Sequence, residues 1–299
     1  GSRRCHTEAV GSDQSFGRLP WPGAVAMGVV SAISYVSWAP SPRLHRGMPS
    51  SWLTLILTLD VPLVLRGSVR APEPNGPAWD AAPGEVFTSC VGGLHDRAAA
   101  VEMSGRQTGV QLSLNPLAAH RLLGSPAAAL GMVEDAEAVL GPTAHHLRAQ
   151  LAEAGTNQDR GTVLREWIGH NQDDRHQVRA EVAHAWRLIQ ARRGDCLVEQ
   201  IAAAVSLSPR QLRTLMRREL GIGPKQACRL ARLDHAVARI VDGTDTSLAG
   251  TAAAAGYADH AHLDAEFRVM VGCSPSAWLA EERRNIQDGG HHNRPDSVP

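Results

Sequence analysis

No stretch of this chain is long and apolar enough to cross a bilayer as a helix. The most apolar run, Trp52 to Leu65, is short and carries Asp60, whereas a spanning helix takes ~20 apolar residues. No charged n-region with a cleavage site opens the sequence, which argues against a secretory signal. Cysteine is sparse. Cys5, Cys90, Cys196, Cys228 and Cys273 are odd in number and widely spaced, with no pair at zinc-ligand spacing, so reduced cytoplasmic thiols are the expected state. Lysine is almost absent, with Lys225 the one lysine among 30 basic residues. GC-rich codon usage accounts for that bias without any appeal to mechanism.

The constellations that enzymes need are missing too. There is no Gly-rich phosphate loop, no Gly-x-Ser-x-Gly elbow and no His-Glu-x-x-His pair. His145 and His146 are adjacent, so on a helix they point in different directions and make a poor metal pair. The expectation is a protein with no catalytic residue, no metal ligand and no cofactor.

What is present has the texture of a soluble two-domain protein. The 299 residues leave room for two cores, and 43% hydrophobic with 20% charged residues is ordinary for globular chains. The formal net charge of zero conceals a division. Residues 1–174 hold 13 Arg and 16 Asp+Glu, net −3, whereas residues 175–284 hold 16 Arg+Lys and 12 Asp+Glu, net +4. Positive charge gathered in one domain is the footprint expected of a nucleic-acid partner.

That basic region contains one pattern twice. Val198, Ile201, Ala202 and Val205 fall at i, i+3, i+4 and i+7; Ser206-Leu207 intervene; Leu212, Leu215, Met216 and Leu220 form a second apolar stripe. Leu248, Thr251, Ala252 and Ala255, then Gly256-Tyr257, then Leu263, Phe267, Met270 and Val271 repeat it. The copies superpose at an offset of 50 before the turn and 51 after it, which pairs Gly221 with Gly272 and Pro224 with Pro275. Each copy predicts two short amphipathic helices across a tight turn, and a helix over about Pro224 to Val241 joins them, running ~25 Å at 1.5 Å per residue. Ser208 and Asp259 are placed to cap the second helix of each copy, Pro209 suits a first turn, Gly194 suits a helix end and Asp195 suits a cap.

These residues resemble the DNA-binding domain of the AraC/XylS family of transcription regulators. The resemblance rests on Leu207-Ser208-Pro209-Arg210-Gln211-Leu212, Gly221-Ile222-Gly223-Pro224-Lys225, Arg232, Ala236, Gly256-Tyr257-Ala258-Asp259, His262-Leu263, Phe267-Arg268 and Gly272-Cys273-Ser274-Pro275, and spans about a third of the chain. It implies that the second helix of each copy enters a major groove. Arg210, Arg213, Thr214 and Arg217 lie at i, i+3, i+4 and i+7, away from Leu212, Leu215 and Met216, and make an outward comb of guanidinium groups. The equivalent positions of the second copy are Ala261, Asp264, Ala265 and Arg268, with Glu266 nearby, so that helix departs from the family's pattern. The expected DNA-contacting set is Arg210, Gln211, Arg213, Thr214, Arg217, Arg218, His260, His262 and Arg268, although surface or supporting roles suit the two histidines better. Arg229, Arg232 and Arg239 on the joining helix are open to phosphate contact or to structural ion pairs.

The N-terminal half reads as β from Val25 to about Gln111, with strand candidates at 29–30, 33–36, 53–57, 63–65, 86–88 and 110–112, which suggests a barrel or sandwich. Gly92-Gly93-Leu94-His95-Asp96-Arg97, Leu114-Asn115-Pro116 and Leu122-Leu123-Gly124 resemble the sensor half of an actinobacterial branch of the same family, which implies a cupin-like barrel. His95 and Asp96 lack the nearby His-x-His and Glu of a cupin metal site and read as a turn before a strand. Segments 117–123, 127–130, 133–140, 143–154 and 162–168 read as helices, whose apolar faces either make a dimer contact or pack on the barrel. Trp21, Trp38, Trp52 and Trp79 suit pocket lining or, more simply, core packing.

The fold class expected is α+β: a cupin-like β-barrel with trailing helices, then an all-α domain with two helix-turn-helix motifs joined by a long helix. Residues 1–20 are expected to be disordered, 21–170 to form the sensor and dimerisation domain (β-rich to about 115, helical over 116–170), 176–284 the DNA-binding domain and 285–299 a disordered tail, with 169–175 as linker. The function implied is a cytoplasmic, nucleoid-associated regulator, an activator by resemblance, that binds double-stranded promoter DNA as a homodimer. RNA polymerase is the further partner, and a small-molecule effector or protein partner acts at the N-terminal domain. The alternative is a cupin-like enzyme or small-molecule-binding protein localised to DNA by its C-terminal domain. Alkyl-transfer repair through a zinc-held cysteine, known beside such domains, finds no support in the spacing of Cys5 and Cys90.

Overall fold

The structure, a computed structural model, describes residues 16–19, 23, 27–66, 83–171, 177–245 and 247–287. Trp21, Trp79, Cys5, residues 172–175 of the expected linker and most of both segments expected to be disordered lie outside the described residues. Two edges of those segments differ from expectation. Phe16–Arg18 form strand β1, and the last helix continues to Gln287. A backbone ladder to the next strand orders β1 without needing apolar burial.

The N-terminal domain is one antiparallel sheet of β1, β2 (Val29–Gly47), β3 (Leu53–Thr58), β4 (Leu63–Arg66), β5 (Gly84–Phe87), β6 (Ser89–Gly92), β7 (Ala99–Leu114) and β8 (Glu134–Asp135), in the order β1-β2-β7-β3-β6-β8. Strands β2 and β7 pair from Val29↔Leu114 to Gly47↔Ala99. The separate candidates at 29–30 and 33–36 are therefore one strand of 19 residues. Pro40 and Pro42, which look like turn signals, fall in a register shift between Ala39 and Arg43, where a bulge needs no N–H from them. One half of β7 also pairs with β3 and the other half with β4, and β4 carries β5. The sheet thus folds over on itself around an interior cavity.

Both faces of β3 are covered. Leu53, Leu55 and Leu57 are fully buried in the main core, and Thr54 and Ile56 line the cavity. Helices α1 (Ala119–Leu123), α2 (Ala136–Leu140), α3 (Pro142–Glu153) and α4 (Asn157–His170) follow, with 3-10 turns at Pro116–Ala118 and Ala127–Ala129. The expected helix 133–140 begins instead with β8, and Asp135 then caps α2. Leu147, Leu151, Leu164, Trp167 and Ile168 join the core with β3, so these apolar faces pack on the sheet. Trp38 departs from the expected core packing. It is 49% exposed, because alternation along β2 turns its neighbours Ser37 and Ala39 inward.

The C-terminal domain consists of α5 (Ala180–Ala191), α6 (Val198–Ala204), α7 (Pro209–Leu220), α8 (Pro224–Asp242), α9 (Leu248–Ala254), α10 (His260–Val271) and α11 (Pro275–Gln287). Its elements reproduce the repeat: α9 lies 50 residues after α6, and α10 lies 51 after α7. Ile201, Ala202, Leu212, Met216 and Leu220 in one copy, and Thr251, Ala252, Leu263, Phe267, Met270 and Val271 in the other, are buried. Asp195 does not cap α6. Leu197 holds the cap position without a side-chain bond, and the Asp195 N–H bonds back to the Arg192 carbonyl as α5 unwinds.

The two domains share a hydrogen-bonded seam that the sequence did not announce. Ala98 N–H donates to the Met270 carbonyl (2.7 Å), and the Arg46 guanidinium binds the Val271 carbonyl (3.1 Å) and Glu281 (2.9 Å). These donors satisfy carbonyls at the C-terminal end of α10 that have no partner within the helix. Ser51 N–H donates to Asp234 on α8 (2.9 Å), and Arg229 reaches Asp96 (3.4 Å). Burial pushes the Asp234 carboxyl up to about 7, against the opposing pull of the Ser51 bond. A carboxyl raised by docking binds its proton more tightly when docked, so this contribution is fully present below its undocked value and is lost as pH rises through about 7. Hydrogen exchange at the Ser51 amide should therefore quicken between pH 6 and 8 beyond the intrinsic rate. Asp234→Asn should abolish that excess; an unchanged pH profile in the variant would show that another group governs the seam.

Candidate nucleic-acid interface and sensor cavity

Each helix-turn-helix is closed by the same bond. Leu207 N–H donates to the Ala202 carbonyl and Tyr257 N–H to the Ala252 carbonyl, both at 2.9 Å. The turn needs a left-handed residue before that donor, supplied by Gly256 (φ 76°) in the second copy and by Ser206 (φ 56°) in the first. The extra residue of the second turn is Ala258, just before the cap.

Helix α7 starts with a capping box. Ser208 Oγ accepts from Gln211 N–H (3.3 Å), and Gln211 Oε1 accepts from Ser208 N–H (3.0 Å). Gln211, expected at DNA, thus has its carbonyl occupied at the helix start. Arg210, Arg213, Thr214 and Arg217 are all exposed on the outward face. Thr214 turns its hydroxyl back to the Arg210 carbonyl (3.0 Å), which leaves the methyl and the arginines for a partner. No acidic side chain among the described residues holds Arg210, Arg213 or Arg217. Arg218 is exposed too, but it borders a cleft with Pro116, His120 and Pro126 of the N-terminal domain, apart from the comb.

Helix α10 has a different character. Asp259 caps it by accepting from His262 N–H (2.7 Å). The His262 ring accepts from Ala258 N–H (3.3 Å) and stands edge-on to Tyr257, with centroids 5.3 Å apart, so it braces the turn. His260 is exposed. Arg268 is tied to Asp264 one turn earlier at 2.8 Å. Glu266 faces α8, where it accepts from Arg229 (2.7 Å) and lies 3.7 Å from Arg232. Arg239 binds Asp245 (2.7 Å). The three arginines of α8 therefore serve as structural ion pairs, one of the two roles open to them in the sequence.

The N-terminal domain offers a cavity of about 110 Å³ lined by residues that include Tyr35, His45, Ile56, Cys90, His95 and Gln107. Among the described residues, no Asp, Glu, Lys or Arg lines it. Its titratable groups are held neutral: burial lowers His45 to about 4, lowers His95, raises the Tyr35 hydroxyl and raises the Cys90 thiol to about 12. His95 and Asp96 do occupy the loop before β7, as the sequence suggests. No group of three or more His, Cys, Asp or Glu among the described residues is placed to hold a metal ion. Among the described residues, no helix is long and apolar enough to cross a membrane.

Two capped helix-turn-helix units on one connecting helix, one of them with an unpaired arginine face, define a DNA-binding domain. Residues 201–281 match a family model described as a helix-turn-helix domain. This domain is of the AraC type. Among solved structures, ToxT from Vibrio cholerae matches with a TM-score of 0.53 at 9% identity, covering 83% of this chain and 98% of that one. It shares the two-part fold of sheet domain and helical domain. The AraC-like transcriptional activator CuxR aligns over 76% of this chain and 96% of its own, at 12% identity and a TM-score of 0.29, too low for a shared fold to be read from it. A search of curated protein sequences returns no match.

Proposed function

We propose that this regulator reads promoter DNA chiefly through Arg210, Arg213 and Arg217 of α7, and that a small uncharged ligand in the sheet-domain cavity controls it. The observation that carries the first part is the unpaired arginine comb on one recognition helix beside an internally neutralised Arg268 on the other. Arginine forks bind guanine O6 and N7 bidentately, each good pair giving ~1–3 kcal/mol of discrimination. Helix α10 then fixes register on phosphates, with His260 the side chain most open to it. Helix α8, with 19 residues, runs about 28 Å, which suits recognition helices set about one turn of DNA apart, ~34 Å.

The ligand reading rests on the cavity's composition and its place. A cavity of about 110 Å³ whose described lining carries no Asp, Glu, Lys or Arg favours a neutral, mostly apolar molecule of a few heavy atoms with one or two hydrogen-bonding groups. The strand end and loop that line the cavity with His45 and His95 hold the seam with Arg46, Asp96 and Ala98. A ligand that shifts these two segments acts directly on α8, α10 and α11. We take residues 21–170 as the cupin-like sensor and 176–284 as the DNA-binding domain. The activator role, homodimer, RNA polymerase contact, cytoplasmic setting and absence of catalysis follow from the family resemblance.

The test is selection of bound duplexes from a random pool with the full-length protein. The expected outcome is a site with one sharply specified half, rich in guanine, and one soft half. Two equally sharp halves would overturn the assignment of roles between α7 and α10, and a pool without enrichment would overturn sequence-specific binding altogether.

A further inference from the structure

Cys196 and Cys228 are 32 residues apart in sequence, yet their Sγ atoms lie 3.2 Å apart. Cys196 is half-buried in the loop between α5 and α6, and Cys228 is buried on α8. A disulfide requires sulfurs at ~2.05 Å, so an approach of about 1 Å closes the bond. The surroundings favour reaction at one sulfur. A hydrogen bond from the Cys228 thiol holds Cys196 below the ordinary thiol value, helped by the charges of Arg192 and Arg232 and opposed by partial burial and Asp195. Burial moves Cys90 and Cys273 the other way. The thiolate is the nucleophilic form, and redox-active cysteines are those that are accessible, electropositive in setting and next to a resolving thiol.

We propose that Cys196 and Cys228 form an oxidation site, where a hydroperoxide converts the folded protein's thiol pair into an intramolecular disulfide. The Cys196 thiolate attacks the peroxide oxygen, the O–O bond breaks, and the departing hydroxide or alkoxide takes up a proton, leaving a sulfenic acid on Cys196. The Cys228 sulfur then attacks the Cys196 sulfur, the S–O bond breaks, and water leaves with the thiol proton of Cys228. Two thiols lose two electrons and two protons, and the peroxide is reduced to water and, for an organic peroxide, an alcohol. A dithiol reductant reverses the change. The cross-link fastens the α5–α6 loop to α8 and closes a loop that contains all of α6 and α7. Oxidation thereby staples the loop that leads into the first helix-turn-helix to the joining helix.

The test treats reduced full-length protein with hydrogen peroxide in slight molar excess and maps its peptides by mass spectrometry without reductant. The expected result is a Cys196–Cys228 linked peptide that forms before Cys90 or Cys273 is modified, disappears with dithiothreitol, and accompanies a rise in the melting temperature of the C-terminal domain. Cys228→Ser should stop at a sulfenic acid on Cys196, trapped by dimedone, and Cys196→Ser should give no adduct at Cys228. Persistence of both thiols while glutathione in the same tube is fully oxidised would overturn the proposal. So would a bridge from either cysteine to Cys5, Cys90, Cys273 or a second chain. The mapping on the unaltered protein decides the matter even where a variant fails to fold.

Discussion

Arg213→Ala combined with Arg217→Ala should weaken binding to the selected duplex by roughly 100-fold or more, since each bidentate arginine–guanine pair carries ~1–3 kcal/mol. Both residues are exposed, neither is held by an acidic partner among the described residues, and both lie beside Gly223 at the turn into α8. Stability should be almost unchanged, because exposed side chains without partners leave no cavity and no unpaired charge behind. The companion substitution is Asp264→Ala. It frees Arg268 from its ion pair, so binding to any duplex should tighten and the salt slope should steepen by about 0.9 for one added phosphate contact. The two outcomes separate reading from anchoring. Loss that is uniform across sequences in the double variant, without relaxed specificity, would mean that α7 also contacts only phosphates. A silent double variant would sink the assignment of α7 as the reading helix.

That contrast between α7 and α10 was legible in the sequence because it depends on local periodicity. Arg210, Arg213 and Arg217 recur on one face whatever surrounds them, and the offset of 51 names their counterparts. The caps at Ser208 and Asp259 were legible for the same reason, since a cap bonds within three residues. Longer-range pairings carry no such mark. Glu266 looks like an outward acidic residue until α8 supplies Arg229, and Cys196 and Cys228 look unrelated until the α5–α6 loop packs on α8. Strand lengths were missed differently. Prolines at 40 and 42 mimic a turn, and only the matching length of β7 shows that the chain continues through a bulge. The cavity was hidden because its wall is made by residues of five strands, each of which alone reads as ordinary core.

Gly194→Ala should destabilise the C-terminal domain by about 3 kcal/mol or more, the range reached when a substitution combines backbone strain with a forced shift of packed elements. Gly194 ends α5 in the left-handed region at φ 75°, following Arg193 at φ 52°. A Cβ there would collide with the Cys228 carbonyl oxygen and stand 2.8 Å from the Arg232 nitrogen, both backbone atoms of α8 that cannot swing aside. The loop must lift from α8, which separates Cys196 from Cys228 and disturbs Arg232 beneath the Tyr257 ring, 5.6 Å from its centroid. Gly243→Ala is the internal comparison. It has a similar backbone angle (φ 60°) at the end of α8 but nothing within 4 Å of an added Cβ, so its cost should be the conformational one alone, about 1 kcal/mol. Urea unfolding of both variants measures the difference. Equal losses would show that the α5–α6 loop yields freely, and the thiol pair it carries would then be held together less firmly than its 3.2 Å contact implies.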